Sequence, residues 1–179
     1  MERLKTLATT SIPRELATEL GRTNLTAVPA ITKVFVNCGL GHERTDQKKT
    51  EQLTHVLALV TGQRPVLRRA RQSVASFKIR SGEPVALSLT LRGQRMYDFL
   101  ERLIRIALPR VRDFRGINRK QFDGHGNLTI GILELAVFPE IRPEEFDITH
   151  GCEVTIVTSA TNDSDGEALL KRYNIPFTE

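Results

Sequence analysis

The sequence predicts a single α+β domain in which helices cover one face of a mostly antiparallel sheet of about five strands. Segments with period-two apolar alternation occur in runs, and the helical segments between them do not alternate with strands one-for-one. A chain of 179 residues can bury a substantial core, and 40% apolar residues exclude wholesale disorder. No repeat or interdomain linker divides residues 1–179.

The first half of the chain predicts short helices followed by strands. Apolar spacing indicates helix before Gly21, divided into two pieces at Ser11 and Pro13. Alternation of apolar and mixed positions then defines strands, and the spacing of Leu53 and Val56 defines a helix. These elements are a strand through residues 33–38, a helix over 46–61 that Gly62 stops, an extended segment over 65–70 and a strand over 85–92.

The second half predicts a long helix, a long loop and two further strands. The helix after Gly93 is ended or kinked by Pro109. A loop with three glycines spans 113–127, and loops this long in compact domains are often functional. The remaining elements are a strand over 128–138 with a bulge near Leu133, a short acidic connection, a strand over 154–159 and a helix through Tyr173 that the capping box Ser164-x-x-Glu167 opens.

One sheet face is mixed in character rather than apolar. Lys33, Phe35 and Asn37 alternate with the apolar residues of the first strand, and Ser88, Thr90 and Arg92 do so in a later strand. An aromatic ring, amide and hydroxyl groups and two cations suit RNA, which is recognised by shape, 2′-hydroxyls and stacked bases. A solvated antiparallel face has the same pattern, so patterning alone leaves both interpretations open.

An arginine-rich stretch from Arg64 to Arg95 carries eight basic residues against one acid, Glu83. The cations lie at both ends of a predicted hairpin whose loop, about residues 70–83, contains little apolar material. Two extended arms with a mobile cationic tip suit a polyanion with a grooved surface. A solvated basic hairpin without a partner is the alternative.

Charge is also divided along the chain. Residues 1–120 carry 23 basic and 10 acidic side chains, a net of +13, whereas residues 121–179 carry 3 and 11, a net of −8. The sequence therefore predicts an electrostatically two-faced molecule.

The sequence predicts neither catalysis nor a metal or cofactor. Four scattered histidines form no HExxH or related motif, and no nucleophile motif accompanies them. Cys38 and Cys152 lack metal-ligand spacing and are interpreted as reduced core thiols. No apolar run approaches the ~20 residues that span a membrane, so we expect a soluble, cytoplasmic protein.

Several segments, taken in order, resemble the bacterial-type ribosomal large-subunit protein L-five family, which binds 5S rRNA. No single segment is decisive, but the ordered set is specific and covers nearly the whole chain. The matching segments are residues 37–41, 62–65, 70–80 (ARQSVASFKIR), 89–93 (LTLRG), 109–116 (PRVRDFRG), 122–127 (FDGHGN) and 138–140.

The resemblance implies that 5S rRNA docks on the concave, helix-free face of the sheet. It assigns 5S rRNA contact to Asn37, Gln63 and Thr90, and the mixed face adds Lys33 and Arg92. The resemblance also implies that the loop matching Ala70 to Gly82 reaches the elbow of P-site tRNA and nearby large-subunit rRNA. The residues predicted to make this tRNA and rRNA contact are Arg68, Arg69, Arg71, Ser73, Lys78 and Arg80.

A weaker rRNA contact is implied for Arg112, Arg115, Arg119 and Lys120. Neighbouring ribosomal proteins of the central protuberance are further implied partners. The loop departs from the family at Gln72, where Lys is usual, and at Ser76, where Gly is frequent, so its tip is less cationic. The protein is therefore predicted to be a structural component of the large ribosomal subunit. The alternative is a free-standing RNA-binding regulator or RNA chaperone, whose binding would not require one particular folded RNA.

Overall fold

The computed structural model describes residues 3–41, 46–141 and 150–178 of the protein. A π-helical turn, Leu103–Ala107, joins the helix Gly93–Arg102 to the helix Leu108–Arg110. The helices and strands are α1 (Leu4–Thr10), α2 (Ile12–Glu19), β1 (Ile31–Gly39), α3 (Gln47–Thr61), β2 (Val66–Arg69), β3 (Pro84–Leu91), α4 (Gly93–Arg102), α5 (Leu108–Arg110), β4 (Leu128–Ile132), β5 (Cys152–Thr158) and α6 (Asp163–Arg172).

The strands of the described residues form one antiparallel sheet in the order β2-β3-β1-β5-β4. The central strand, β1, pairs with β3 on one side and β5 on the other, so that Val34 lies opposite Leu91 and Ile156. These side chains are buried in one hydrophobic core together with apolar residues from the helices, such as Leu16 of α2 and Phe99 of α4. The core lies on one face of the sheet, which confirms the predicted α+β fold class.

Local sequence signals account for the boundaries of the helices before β2. Ser11 separates α1 from α2, and Pro13 lies in the first turn of α2, where its missing N–H costs nothing. The carboxylate of Asp46 caps α3 by accepting hydrogen bonds from the backbone of Lys48 (3.0 Å) and Lys49 (3.3 Å). Gly62 ends α3 in the left-handed region, with φ 68°.

The long helix does not end at Pro109 but loosens before it. The backbone N–H of Leu108 bonds to the carbonyl of Leu103, five residues earlier, and the helix continues to Arg110. Pro109 has no N–H to donate, so a π-helical turn is accommodated next to it. Arg102 and Arg105 are half-buried and form ion pairs with Glu140 and Glu101.

The predicted strand over 128–138 is wrong in its second half. β4 ends at Ile132, and Leu135–Val137 is a 3₁₀ turn. The returning chain explains the ending: a Cβ on Gly151 would lie 2.6 Å from the carbonyl oxygen of Ile132, and Leu135 N–H donates to the carbonyl of His150 (2.9 Å). The acidic connection predicted before β5 falls largely on residues 142–149, outside the described residues.

The predicted capping box is also wrong. The N-cap of α6 is Asn162, whose side chain makes no capping hydrogen bond, and Ser164 lies within the first turn. The acidic groups have tertiary partners instead, because Asp163 Oδ1 accepts from the N–H of Gly126 (2.9 Å) and Glu167 pairs with Arg119.

Both cysteines are free and buried, as predicted. Burial raises the pKa of the Cys38 thiol to about 11 and that of Cys152 to about 12. At neutral pH these groups are therefore protonated core side chains rather than nucleophiles or metal ligands.

Two glycines bring α6 against the turn that precedes β4. A Cβ on Gly166 would lie 2.7 Å from the carbonyl oxygen of Gly126, and a Cβ on Gly126 would lie 2.7 Å from Cβ of Ala160. The same turn is held by Thr158, whose hydroxyl donates to the Gly126 carbonyl (2.8 Å). The close approach therefore depends on the absence of side chains at positions 126 and 166.

We expect Gly166→Ala to destabilise the protein although it lies in a helix, where Ala is favoured over Gly by about 1 kcal/mol. The added methyl group meets backbone atoms that cannot rotate away, so the net loss should be about 2 kcal/mol, or about 4–8 °C in Tm. The control is Gly131→Ala in β4, where an added Cβ meets nothing within 4 Å. Thermal unfolding monitored by circular dichroism compares the two; an unchanged Tm in Gly166→Ala would contradict the contact.

Candidate nucleic-acid interface

The face of the sheet away from the core is open and polar near its centre. On β1, Lys33, Phe35 and Asn37 are half-buried on this face, between the buried core residues of the same strand. The register places Asn37 opposite Ser88 of β3, and Phe35 opposite Thr90. We call this surface the open face; it also includes Arg68 of β2, Glu153, Thr155 and Val157 of β5, and Thr129 and Gly131 of β4.

Gln63, which the sequence alone could not place on a strand, is brought beside β3 by the turn after α3. Its side-chain Nε2 donates a hydrogen bond to the backbone carbonyl of Thr90 (3.2 Å). The turn itself is held by Thr61, whose hydroxyl donates to the carbonyl of Leu57 (2.6 Å) and accepts from the N–H of Gln63 (3.3 Å). The three residues predicted to contact RNA, Asn37, Gln63 and Thr90, therefore lie on adjacent strands or directly beside one.

Arg68 belongs to the open face rather than to the projecting loop. It lies in β2 opposite Ala86, and its Nε donates to Ser88 Oγ (2.8 Å). This hydrogen bond connects the guanidinium to the residue directly opposite Asn37. The sequence predicts Arg68 as part of the hairpin contact. The register of β2 against β3 depends on the long loop between them, so no pattern within β2 itself predicts which residue of β3 lies opposite Arg68.

Cations stand at both ends of the polar strip on the open face. Arg68 lies towards the hairpin loop, whereas Lys33 and the exposed Arg92 lie towards the opposite end of β1 and β3. The β5 side of Asn37 carries a carboxylate, because Glu153 is its direct neighbour. The positive potential is therefore concentrated on the β2–β3–β1 half of the face.

The hairpin loop, residues 70–83, is organised by its own hydrogen bonds. Backbone bonds join Ala70 with Glu83 and Gly82 at the base (2.8 and 2.9 Å) and Val74 with Ile79 near the tip (2.9 and 3.1 Å). Side chains add to this set. Arg69 Nη1 donates to the carbonyl of Gly82 (2.9 Å), Ser73 Oγ accepts from the N–H of Ser81 (2.9 Å), and Ser81 Oγ donates to the carbonyl of Arg71 (3.1 Å).

The tip of this loop presents cations and an aromatic ring to solvent. A 3₁₀ turn, Ala75–Phe77, ends at Lys78 in the left-handed region, with φ 52°. Phe77 is 70% exposed, so the loop has no anchor in the core. Arg71, Lys78 and Arg80 are exposed around it. Of the residues predicted for the loop, these three have the positions best suited to a polyanion, whereas Arg69 and Ser73 also hold the loop together.

The long loop after α5 lies on the β4 side of the sheet, opposite the β2 edge that leads into the hairpin loop. It leads into β4, and it packs onto the C-terminal segment: Ile117 is buried and bridges to Phe177, and the rings of Phe122 and Phe177 stack at 5.9 Å. Arg119 is engaged with Glu167 (3.0 Å), while Arg112, Arg115 and Lys120 are exposed. Arg112 lines a groove with Leu133 and Glu134, just beyond the C-terminal end of β4.

Acidic groups of the C-terminal third pair with arginines from the rest of the chain. Asp165 binds Arg22, Glu167 binds Arg119, and Glu140 binds Arg102. Surface ion pairs contribute little each to stability, but these bring the two signs of charge together. The division of charge along the sequence is therefore partly cancelled in space on the helical side of the molecule.

Nothing in the described residues resembles a catalytic or metal centre. No group of three or more His, Cys, Asp or Glu side chains among them could hold a metal ion. A groove of about 970 Å³ between α3 and the arms of the hairpin is lined by both signs of charge, including Glu51, Arg64 and Arg69. None of the helices in the described part of the chain is long and apolar enough to cross a membrane.

Fold and surface together define a class: an α+β protein with one helix-covered sheet face, one open polar face bordered by cations, and a projecting basic hairpin. Comparison with protein families gives the same class. A family model described as "Ribosomal protein L5" matches residues 24–80, and the model that describes the C-terminus of the same ribosomal protein family matches residues 84–177.

Curated relatives agree over nearly the whole chain. "Large ribosomal subunit protein uL5" of Synechococcus sp. (strain JA-2-3B'a(2-13)) is 49% identical over 176 residues, covering 98% of each chain. The protein of the same name from Thermobifida fusca (strain YX) is 46% identical over 177 residues, covering 99% of this chain and 93% of its own. That from Spiroplasma kunkelii is 49% identical over 167 residues, covering 93% of each.

The chain belongs to the ribosomal protein L5 family. Members of this family are structural components of the ribosome and not enzymes, so the protein is located in the ribosome, in the cytoplasm. The family resemblance inferred from the ordered motifs is confirmed.

The glycine-rich turn at residues 123–127 is organised by one carboxylate. Asp123 accepts from the side chain of Asn127 (2.6 Å) and from the backbone N–H groups of His125 (2.8 Å) and Asn127 (3.1 Å). The Asn127 side chain, together with these N–H groups, holds the pKa of the Asp123 carboxyl below its usual value. Asn127 in turn accepts from the N–H of Thr158 (3.0 Å), which connects the turn to β5.

We expect Asp123→Asn to lower Tm by about 2–4 °C at pH 7. The new side-chain NH2 group would face the Asn127 NH2 group, which now donates to the Asp123 carboxylate. The loss corresponds to about 1 kcal/mol of folding free energy, after allowance for the exposure of Asp123. The folded-state pKa is depressed, so the stabilisation is present above the unfolded-state pKa and is lost as pH falls through the folded value. The Tm difference should therefore close at acidic pH. The exposed Glu134→Gln is the control, and a pH-independent difference in Asp123→Asn would exclude the carboxylate as its source.

Proposed function

We propose that this protein is a structural component of the large ribosomal subunit that binds 5S rRNA through the open face, helps to attach it to the large-subunit rRNA in the central protuberance, and contacts P-site tRNA through the hairpin loop. The relatives are named as large-subunit proteins. The observation that carries the 5S rRNA assignment is that Asn37 and Thr90 share one face, with Gln63 beside them and bonded to the Thr90 carbonyl.

The mechanism is non-catalytic and combines two kinds of contact. Cations at the ends of the open face engage phosphates and fix the orientation of the RNA without reading its sequence. Amide and hydroxyl groups of Asn37, Gln63 and Thr90 hydrogen-bond to base edges and 2′-hydroxyls, which selects one folded RNA loop. The half-buried positions of these residues favour this role, because strand pairing limits their freedom before binding.

The hairpin loop supports a separate contact. Its cations lie beyond the end of the sheet, and its internal hydrogen bonds give it a shape that does not depend on the open face. A preorganised cationic tip loses little conformational entropy when it meets a phosphate backbone. This arrangement supports contact with an RNA other than the one on the open face, for which the elbow of P-site tRNA is our proposal.

We expect Asn37→Ala combined with Thr90→Ala to weaken 5S rRNA binding about tenfold or more while Tm changes little, since each substitution removes hydrogen bonds worth about 1 kcal/mol. Filter binding with a 5S rRNA transcript measures the change. The exposed pair Thr161→Ala with Asn162→Ala, in the turn before α6, is the matched control. Equal affinity of the Asn37/Thr90 variant and the unaltered protein would reject the assignment.

The wild-type affinity should also depend strongly on salt. With about six phosphates neutralised, log K should fall against log salt with a slope of roughly −4 to −5. The Asn37/Thr90 double variant should keep this slope, because it removes no charge.

Replacing Arg71, Lys78 and Arg80 with Ala should spare 5S rRNA binding and weaken P-site tRNA binding on ribosomes reconstituted with the variant. The control removes the exposed cations Arg3, Lys5 and Arg14, which lie in and before the N-terminal helices. Filter binding of tRNA to the two sets of ribosomes separates specific loop contact from loss of charge. Loss of 5S rRNA affinity in the hairpin variant would instead assign the loop to the 5S rRNA site.

A further inference from the structure

Phe35 is an aromatic residue that folding leaves on the open face. It lies in the middle of β1, between Val34 and Val36, whose side chains are buried in the core on the other face. Because side chains alternate along a strand, the Phe35 ring stands on the helix-free side of the sheet. The strand is central in the sheet, so the ring occupies the middle of the open face rather than its margin.

The neighbours of Phe35 are short. Thr90 of β3 and Thr155 of β5 lie directly opposite it, and the hydroxyl of Thr155 is 3.1 Å from that of Thr129 on β4. An aromatic ring flanked by threonines has no large side chain directly opposite it to pack against. The ring is half-buried, and covering the part of it that solvent still reaches with a flat apolar surface is favourable.

The charges around Phe35 favour RNA as that partner. Lys33 precedes the ring by two residues on the same face, and Arg68 and Arg92 lie at the two ends of the neighbouring strands. On the β5 and β4 side, the open-face residues of the described strands include Glu153 and no Lys or Arg. A phosphate backbone is therefore attracted to the β2–β3–β1 half, and a base directed inwards from it reaches the central ring.

We propose that the Phe35 ring stacks on one unpaired base of the RNA bound to the open face, and that it positions this base between the Asn37 and Thr90 side chains. The inference rests on the proposed function of this face and adds a stacking contact to its hydrogen-bonding residues. Aromatic side chains that stack on bases contribute substantially to RNA affinity and tolerate any base, because every base has a π-face. Phe35 therefore supplies affinity, whereas Asn37 and Thr90 supply selection.

The test compares Phe35→Ala, Phe35→Leu and Phe35→Tyr in binding to a 5S rRNA transcript. The Ala and Leu variants should bind about 5- to 100-fold more weakly, and the Tyr variant should bind within about twofold of the unaltered protein, because only Tyr keeps a stacking ring. The salt slope should be the same in all variants, since none removes a charge. Leu59→Ala on α3, which removes an exposed apolar side chain away from this face, is the control and should bind normally.

Thermal unfolding of each variant separates stacking from a structural role. Phe is also favoured in strands, so a purely structural role would lower Tm in Phe35→Ala and leave the affinity of a stably folded Phe35→Leu unchanged. That result, or full affinity in Phe35→Ala, would overturn the inference. If Asn37→Ala with Thr90→Ala weakens binding while the Phe35 variants do not, the inference alone fails. If the unaltered protein binds 5S rRNA no better than an unrelated transcript, the proposed function fails and the inference with it.

Discussion

The alternation of buried and open positions along β1 is the constraint on which the rest of the structure depends. This strand pairs with β3 and β5, so its register determines which side chains of three strands share a face. A slip of one residue would bring Asn37 into the core and Val36 to the surface. The apolar side chains that form the core therefore also determine which side chains the open face presents.

Much of the fold could be predicted because the decisive signals are local. The alternation in β1 and β3 and the Asp46 and Gly62 caps of α3 each depend on a few neighbouring residues. The predictions that were wrong concern element boundaries that are set by tertiary contacts. An apolar run was predicted as strand beyond Ile132, but the close passage of Gly151 ends pairing there. Ser164 and Glu167 fit a capping box, but Glu167 pairs with Arg119 and the helix begins earlier.

Some residues of the candidate site could likewise be predicted from local patterns, whereas others depend on contacts between distant segments. Strand phase was enough to bring Asn37 and Thr90 to one face, and the resemblance to a family added Gln63. Phase could not assign Arg68, because the pairing of β2 with β3 depends on how the intervening loop closes. Nor could the sequence show that Arg119 is engaged with Glu167, since these residues are far apart in the chain. Positions fixed along one strand were predictable, whereas pairings between distant segments were not.

The internal hydrogen bonds of the hairpin loop have a consequence for how this protein can vary. Hydrogen bonds from Ala70 to Glu83 and from Gly82 to Ala70 close the loop at its base. The bonds beyond them run within the loop, so its shape depends mainly on its own residues. The tip of such a loop can be altered without rearranging the core, because the core makes no contribution to the hydrogen bonds that shape the loop. Tip residues such as Gln72 and Ser76 can then vary without any change in the register that sets the open face.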